Sequence, residues 1–157
     1  MPVRINLKKI KQILDETNNI VLDTSVLLCY FMDEIQEINS ILEEYIFKLD
    51  SRITLYGHNL IKTELFYITC RLKGINEAEN LVKKLESIMN TISDIWFYKK
   101  AASIKCKYPI AISDCFSIAL ALLQDCPVLF LPEKELKEEF IEKLKKHNNT
   151  KIYRFDI

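Results

Sequence analysis

The sequence predicts an α/β fold, a three-layer α/β/α sandwich around a mostly parallel central sheet. Short apolar runs alternate with longer amphipathic segments, which is the order expected of strands joined by crossover helices. With 157 residues, of which 49% are hydrophobic and only two are glycine, the chain is long enough for one substantial core and short for two. We therefore expect a single domain over residues 1–157, with residues 1–19 as an N-terminal helical extension.

The first third of the chain contains two predicted strands, each preceded by a helix-like segment. Residues 4–17 carry isoleucine and leucine at helical spacing among lysines, which predicts an amphipathic helix. Residues 20–22 form a short apolar run typical of a buried strand, and residues 25–49 keep a helical pattern. Residues 53–56 predict a second strand, which ends early because Gly57 follows it.

The middle of the chain is predominantly helical. Residues 60–72 place four aliphatic side chains on one stripe, and Gly74 is a typical stop signal after such a helix. Residues 76–89 predict the next helix, with Asn76 as its N-cap. Residues 91–97 fit either a strand or a loop, and the sequence leaves both open.

The last third of the chain alternates helices with strands. Residues 98–107 have a helical pattern, and residues 113–124 are apolar on nearly every side, which is typical of a helix in the centre of a domain. Residues 128–131 are the clearest strand in the chain. Residues 134–147 predict a charged amphipathic helix, and residues 151–155 predict a closing strand.

The charges of the chain balance. The 22 lysine and arginine residues match 22 aspartate and glutamate residues, so the whole molecule has no net field that would attract a polyanion. Any contact with nucleic acid must therefore come from a local basic patch. The candidates are Lys99, Lys100, Lys105 and Lys107, with Tyr98 and Tyr108 interleaved. Such a mixture can bind phosphates and stack bases, but it is also typical of a solvated helix face.

The cysteines and the apolar stretches indicate the compartment. Five cysteines, an odd number without a CxxC pair, are interpreted as buried thiols in a reducing environment. The N-terminus lacks the apolar region of a secretory signal, and the most apolar stretch, residues 110–131, is interrupted by polar residues that a bilayer would disfavour. We expect a cytoplasmic protein with no membrane segment.

Four carboxylates stand at positions from which they could meet. They are Asp23, Glu64, Asp114 and Glu133. Asp23 and Glu133 come just after predicted strands, Asp114 opens a predicted helix, and Glu64 lies at the edge of an apolar helical stripe. The carboxyl ends of parallel strands form the ligand-binding edge of an open α/β sheet, so acids from distant segments can converge there. Converging carboxylates predict a cation site, since Mg²⁺ prefers oxygen ligands and needs only one or two direct carboxylates.

Each acid also has an explanation that involves no chemistry. Asp23 could simply cap the next helix, and Asp114 is favoured in the first turn of a helix by the helix dipole. Glu133 would begin a charged surface helix, where acids are ordinary. Glu64 could pair with Arg71, which could equally bind a phosphate. The two histidines, His58 and His147, are far apart in sequence, so a histidine-based metal or triad site is not expected.

Three segments in this order resemble the motifs of PIN-domain ribonucleases. They are residues 20–25, with the sequence IVLDTS, residues 61–65, with the sequence IKTEL, and the long run of residues 108–136. The resemblance covers roughly residues 20–155 and implies an α/β/α sandwich around a parallel sheet. It also implies cleavage of RNA by an endonucleolytic reaction that depends on Mg²⁺ or Mn²⁺.

The resemblance further implies roles for individual residues. The family's four acids correspond to Asp23, Glu64, Asp114 and Glu133. Asp23, Asp114 and Glu133 would hold the metal, while Glu64 would bind it or orient the attacking water. The hydroxyl after the first acid corresponds to Thr24 or Ser25, which could contact a metal-bound water or a neighbouring carboxylate. Many small members are toxins of toxin–antitoxin pairs, so the implied partners are RNA and an antitoxin protein.

Two departures from the family pattern keep a second hypothesis open. The fourth acid is usually Asp with Thr or Ser two positions before it, whereas here Glu133 follows Leu131, and the first strand is preceded by a longer leader than in many small toxins. The alternative is a catalytically decayed PIN-fold module that binds RNA or protein. A phosphotransferase is less well supported, because Ser25 stands where a second acid would be needed. The apolar segments 26–31 and 41–47 could form a homodimer face.

Overall fold

The computed structural model describes residues 6–132, 137–148 and 151–155. The elements within these ranges are, in chain order, α1 (Leu7–Glu16), β1 (Asn19–Leu22), α2 (Thr24–Phe31), α3 (Gln36–Leu42), β2 (Thr54–Gly57), α4 (Asn59–Lys73), α5 (Ile75–Ile88), β3 (Met89–Thr91), α6 (Tyr98–Lys107), α7 (Ile112–Gln124), β4 (Val128–Phe130), α8 (Glu138–Asn148) and β5 (Ile152–Arg154). A π-helical turn spans Glu43–Phe47 and a 3₁₀ turn spans Asp94–Trp96.

The strands form one sheet in the order β3-β2-β1-β4-β5, and every pairing among the described strands is parallel. The central strand β1 pairs with β2 on one side, Ile20 opposite Leu55, and with β4 on the other, Leu22 opposite Leu129. Strands β2 and β3 therefore extend the sheet on one side of β1, and β4 and β5 extend it on the other. Open α/β sheets bind ligands at the carboxyl edge beside such a reversal of strand order. That point lies between β1 and β4.

Hydrophobic side chains cover both faces of the sheet. Successive residues of a strand point to opposite faces, and in β1 Ile20 and Leu22 enter the core formed with α1 to α5, whereas Val21 enters the core formed with α6 to α8. Strand β4 alternates in the same way, with Leu129 on the first side and Phe130 on the second. The predicted three-layer α/β/α sandwich is confirmed.

The helical pattern predicted over residues 25–49 is present, but it is divided into separate elements. Helix α2 ends at Phe31, α3 begins at Gln36, and the π-helical turn follows. Between the two helices Asp33 adopts a left-handed conformation with φ 53°, which a continuous helix does not permit. The Asn39 side chain donates to Asp33 Oδ1 at 2.6 Å and so supports this bend.

The Asn76 cap is wrong, although both helices around it are present. Gly74 separates α4 from α5 with φ 93°, a conformation that favours glycine, and it serves as the residue that ends one helix and precedes the next. Asn76 is therefore already inside α5. The ambiguous residues 91–97 contain the last residue of β3 followed by the 3₁₀ turn. Residues 134–136 of the predicted C-terminal helix lie outside the described residues.

The N-terminal helix predicted over residues 4–17 is present as α1 and packs on the sandwich. Its Ile10 and Leu14 are buried in the core that lies on the α1 to α5 side of the sheet. The Arg52 guanidinium donates to the carbonyl oxygens of Leu14 and Thr17, at 2.8 and 2.6 Å, beyond the last turn of α1. A cation is favourable at this end of a helix, where carbonyl groups lack intrahelical partners.

Burial bears on two further expectations. The segments proposed as a homodimer face place Val26, Leu27, Ile41 and Leu42 in the core of this chain, whereas Phe31 and Phe47 are only partly buried, and the homodimer stays a prediction. Three of the five cysteines are buried, as expected, but Cys106 is exposed and Cys70 is partly exposed. Within the described ranges, no helix has the length and apolar character needed to cross a membrane.

Candidate active site

Asp23 lies at the carboxyl end of β1, where the order of the strands reverses. Its backbone N–H continues the sheet by donating to the Leu129 carbonyl oxygen of β4 at 3.0 Å. Its side chain is the N-cap of α2 and is only 1% exposed. The capping explanation of Asp23 is therefore correct, and the same cap places the carboxylate at the ligand-binding edge of the sheet.

Ser25 holds one oxygen of the Asp23 carboxylate. The backbone N–H and the hydroxyl of Ser25 both donate to Asp23 Oδ2, at 3.3 and 3.2 Å. The Ser25 hydroxyl also accepts from the Leu131 backbone N–H at 3.3 Å. Ser25 thus connects Asp23 to the segment that leaves β4, two residues before Glu133. The family pattern has a hydroxyl residue at position 131, where this chain has leucine. The Ser25 hydroxyl lies beside that position instead.

Thr24 brings Glu64 to the same edge. Its hydroxyl donates to Glu64 Oε1 at 2.9 Å and joins the start of α2 to the second turn of α4. Thr24 is buried and Glu64 is half-buried. Arg71, the alternative partner of Glu64, instead lies over the ring of Tyr67, 5.0 Å from its centroid. The two hydroxyls after Asp23 therefore contact different carboxylates, Thr24 contacting Glu64 and Ser25 contacting Asp23.

Asp114 approaches from the other face of the sheet. It lies in the first turn of α7 and is 2% exposed, which is unusual for an acid that serves only the helix dipole. One turn further on, the Ser117 hydroxyl donates to Asp23 Oδ1 at 3.2 Å. Residues three apart share one side of a helix, with Cβ atoms roughly 5–6 Å apart. Asp114 therefore lies one helical turn from a hydroxyl that binds Asp23.

His58 completes the network, and sequence reasoning missed it. Its Nε2 lies 2.8 Å from the Ser117 hydroxyl, and its side chain is fully buried. Burial lowers the pKa of His58 from 6.5 to about 3, so the imidazole is neutral. The signal was present, since His58 directly follows β2 as Asp23 follows β1. The partner of His58 is a hydroxyl rather than the second histidine that a histidine-based metal site would need.

The described hydrogen bonds thus join the start of α2, which carries Asp23, to Glu64, and they join Asp23 to α7, the helix that carries Asp114. Glu133 lies outside the described residues, and within the described part of the chain no group of three His, Cys, Asp or Glu side chains is arranged to hold an ion. The chemistry of the donors nevertheless suits Mg²⁺ or Mn²⁺. Asp23 and Asp114 are buried, hard oxygen donors, and these ions complete their coordination with water rather than with a full cage of protein ligands.

A comparison with protein families identifies the fold. The family model for the PIN domain matches residues 20–138. The chain belongs to the PIN domain family. The match includes Asp23, Glu64, Asp114 and Glu133, and it leaves α1 outside. The resemblance predicted from the motifs is confirmed. No protein among the curated sequences matches the chain.

Two solved structures share the PIN fold of this chain. VapBC2 from Rickettsia felis, bound to a DNA fragment from their promoter, superposes with a TM-score of 0.61 and 13% identity, over 88% of this chain and 99% of that chain. A toxin–antitoxin complex from Klebsiella pneumoniae superposes with a TM-score of 0.54 and 15% identity, over 76% of this chain and 91% of that chain. At these identities the likeness concerns the fold alone.

An aromatic contact joins the network to the surface of this PIN domain. The buried Phe97 ring lies 5.8 Å from the Phe116 ring and 6.2 Å from the His58 ring. On either side of Phe97, Trp96 is 69% exposed and Tyr98 is 48% exposed. The segment that carries them follows β3, so it leaves the same edge of the sheet as Asp23 does.

The predicted basic cluster divides at this surface. Lys99 and Lys100 are exposed beside Tyr98, whereas Lys105 donates to the Ile110 carbonyl oxygen at 2.6 Å. Tyr108 is only 7% exposed, so it offers no face for stacking, and that part of the expectation is wrong. We name Ile95, Trp96, Tyr98, Lys99 and Lys100 the Trp96 surface. Trp96 was not singled out in the sequence because it lies in the ambiguous residues 91–97, which have no clear helical or strand period.

The buried, neutral His58 should make the PIN domain less stable in mild acid. The folded state holds the pKa of His58 near 3, whereas an unfolded histidine titrates near 6.5. Below pH 6.5 the unfolded chain binds the additional proton, so stability decreases as the pH falls. We expect the free energy of unfolding to drop by about 2 kcal/mol from this group between pH 7 and pH 5. Urea denaturation at both pH values measures the drop, which should be absent in His58→Gln.

Proposed function

We propose that this PIN domain is an endoribonuclease that depends on Mg²⁺ or Mn²⁺. The observation that carries the proposal is the hydroxyl network that links Asp23, Glu64 and the helix of Asp114 at the carboxyl edge of β1. Carboxylates at close range repel one another, so acids placed together at this edge of the sheet would destabilise a fold in which they had only a structural role. Bound cations would remove that cost.

In this proposal Asp23, Asp114 and Glu133 would hold the ion, directly or through water. When bound, such an ion would supply an activated water and would neutralise charge on the scissile phosphate and the leaving oxygen. Glu64, held by Thr24, would orient the attacking water or accept its proton. Ser25 would keep Asp23 Oδ2 in place and fix the start of the segment that carries Glu133.

RNA would be bound beside these acids, at the Trp96 surface. Single-stranded RNA is commonly held by aromatic side chains that stack on bases and by lysines that contact phosphates. Trp96 and Tyr98 offer exposed rings, and Lys99 and Lys100 offer charges on the adjoining turn of α6. Because the chain has no net charge, contact with RNA needs a local basic patch, and the Trp96 surface provides one.

Replacing Trp96 by alanine should therefore weaken RNA binding. One lost base stack corresponds to about 1–3 kcal/mol, so we expect the KM for a single-stranded RNA to rise roughly 5- to 150-fold with little change in kcat. Leu49→Ala removes a comparably exposed apolar side chain away from the site and is the matched control. A KM that is equal in Trp96→Ala, Leu49→Ala and wild type would remove the Trp96 surface from the proposal.

We further propose that the nuclease is restrained by an antitoxin protein. Support comes from the two solved structures described above, each of which is a toxin–antitoxin complex. The sequence resemblance pointed to the same class of partner. Growth arrest on expression of the chain, lost in Asp114→Asn and relieved by a protein that copurifies with the chain, would support this part of the proposal. Growth unaffected by expression of active enzyme would favour an RNA-processing role instead.

The proposal is tested by incubating the purified chain with end-labelled single-stranded RNA. We expect cleavage with Mg²⁺ or Mn²⁺ and none with EDTA, together with internal rather than terminal products. The alternative is a catalytically decayed module, for which the Glu at position 133 is the main support. RNA binding without cleavage at any Mn²⁺ concentration would decide for that alternative.

A further inference from the structure

We propose that His58 is a positioning residue that acts through Ser117 to fix the Asp23 carboxylate for metal binding. This inference rests on the proposed function, because it assigns a role to two residues beside the same metal site. Both side chains are fully buried, and they come from different elements, His58 from the end of β2 and Ser117 from the second turn of α7. Their contact spans 59 positions of sequence.

The hydrogen bonds in this network have a defined direction. The Ser117 hydroxyl donates its proton to Asp23 Oδ1 at 3.2 Å. The contact of 2.8 Å with His58 must therefore use a lone pair of the Ser117 oxygen, which requires the proton of the neutral imidazole to be on Nε2. His58 thus donates to Ser117, and Ser117 donates to the Asp23 carboxylate, which is the final acceptor. Aligned bonds of this kind strengthen one another in a buried setting.

The surroundings of the ring fit this assignment of the proton. Among the described residues, His58 Nδ1 has no hydrogen-bond partner, and the ring packs near Phe97 and Phe116. If the ring proton were on Nδ1, a buried N–H would have no acceptor. The Ser117 oxygen would also lose the N–H that donates to it, and each unsatisfied buried group is destabilising. Nε2 is the position at which the proton makes a bond.

The consequence for Asp23 is a carboxylate held at both oxygens. Ser25 donates to Oδ2, and Ser117 donates to Oδ1. A carboxylate held by only one oxygen can turn about its terminal torsion, which is broad for aspartate. Outer partners that orient a metal ligand typically change metal affinity 10- to 100-fold when they are removed. His58 keeps the Ser117 hydroxyl from rotating away, because that oxygen already accepts a proton from the ring.

The experiment compares Mn²⁺ affinity in four variants by isothermal titration calorimetry, with melting in EDTA as a measure of folding. We expect Ser117→Ala and His58→Leu to raise the Mn²⁺ dissociation constant by about 10- to 100-fold. His58→Gln retains an N–H donor near the position of Nε2 and should stay within about threefold of wild type. Thr69→Ala removes another buried hydroxyl, away from the network on α4, and should leave the dissociation constant unchanged.

Cleavage assays add a second readout. If His58 and Ser117 act through metal affinity, saturating Mn²⁺ should restore most of the kcat that Ser117→Ala loses at low Mn²⁺. The inference is overturned if Ser117→Ala binds Mn²⁺ like wild type, or if His58→Gln loses affinity as fully as His58→Leu. It falls together with the proposed function if wild type itself binds no Mn²⁺, which is a separate and recognisable outcome. Should His58→Leu fail to fold, Ser117→Ala and His58→Gln decide the matter.

Discussion

Replacing Asp23 or Asp114 by asparagine is expected to abolish RNA cleavage while leaving the PIN fold intact. In the proposed mechanism the ion would account for several kcal/mol of transition-state stabilisation, and each 1.36 kcal/mol is tenfold in rate, so we expect kcat to fall by at least about a thousandfold. Single-turnover cleavage of a labelled RNA at saturating Mn²⁺ measures this loss directly. Asparagine is nearly isosteric with aspartate, so the loss will report charge and metal ligation rather than shape.

Folding of these variants should be unharmed. Asparagine is as good an N-cap as aspartate, so position 23 can still accept from the Ser25 backbone N–H. Removing a buried negative charge should leave Asp114→Asn melting no lower than wild type without metal. Asp23→Asn should also fold, but its amide nitrogen cannot accept from one of the two serine hydroxyls, so it should melt below Asp114→Asn. Asp50→Asn, which changes an exposed acid away from the site, is the matched control for activity. Full metal-dependent activity in Asp23→Asn or Asp114→Asn would refute the catalytic proposal.

The second large effect is stabilisation by metal. A ligand that binds only the folded state adds about 2.7 kcal/mol at a hundredfold excess over its dissociation constant. For a chain of this length, that corresponds to a rise in Tm of roughly 5–10 °C. Differential scanning calorimetry with and without Mn²⁺ should show this rise in wild type and in Asp50→Asn.

The same rise should be absent in Asp23→Asn. An equal rise in Asp23→Asn and wild type would place the ion elsewhere on the chain. No rise in wild type at millimolar Mn²⁺ would instead favour the RNA- or protein-binding module without catalysis. The calorimetric result thus separates the two hypotheses that the sequence leaves open.

The sheet was predictable because its strands are buried on both faces. A fully buried parallel strand is an uninterrupted apolar run, and residues 20–22 and 128–131 read that way without any pairing information. Position after such a run also identified Asp23. In contrast, the bend at Asp33 depends on a left-handed backbone held by Asn39, and nothing local to residues 31–35 distinguishes it from helix. Gly74 was recognised as a stop, but its second role before α5 depends on how α4 and α5 pack.

The hydroxyls and the histidine show where sequence reasoning ends. Thr24 and Ser25 were interchangeable in the sequence, and only the structure separates their partners, Glu64 and Asp23. Ser117 is a small polar residue within the most apolar part of its helix, and one turn of spacing from Asp114 was its only signal. His58 gains its place from a contact across 59 positions, which no local pattern encodes. Long-range polar contacts therefore account for most of what the sequence did not reveal.

The most direct test of the central claim is a crystal of the chain soaked in Mn²⁺, with the anomalous signal used to locate the ion. The metal-dependent mechanism predicts a strong peak within coordination distance of carboxylate oxygens of Asp23 and Asp114, with Glu64 and Glu133 turned toward it or toward its waters. A crystal with these acids accessible and saturated in Mn²⁺, but with no peak beside Asp23, would contradict the assignment of this edge of the sheet as the catalytic site.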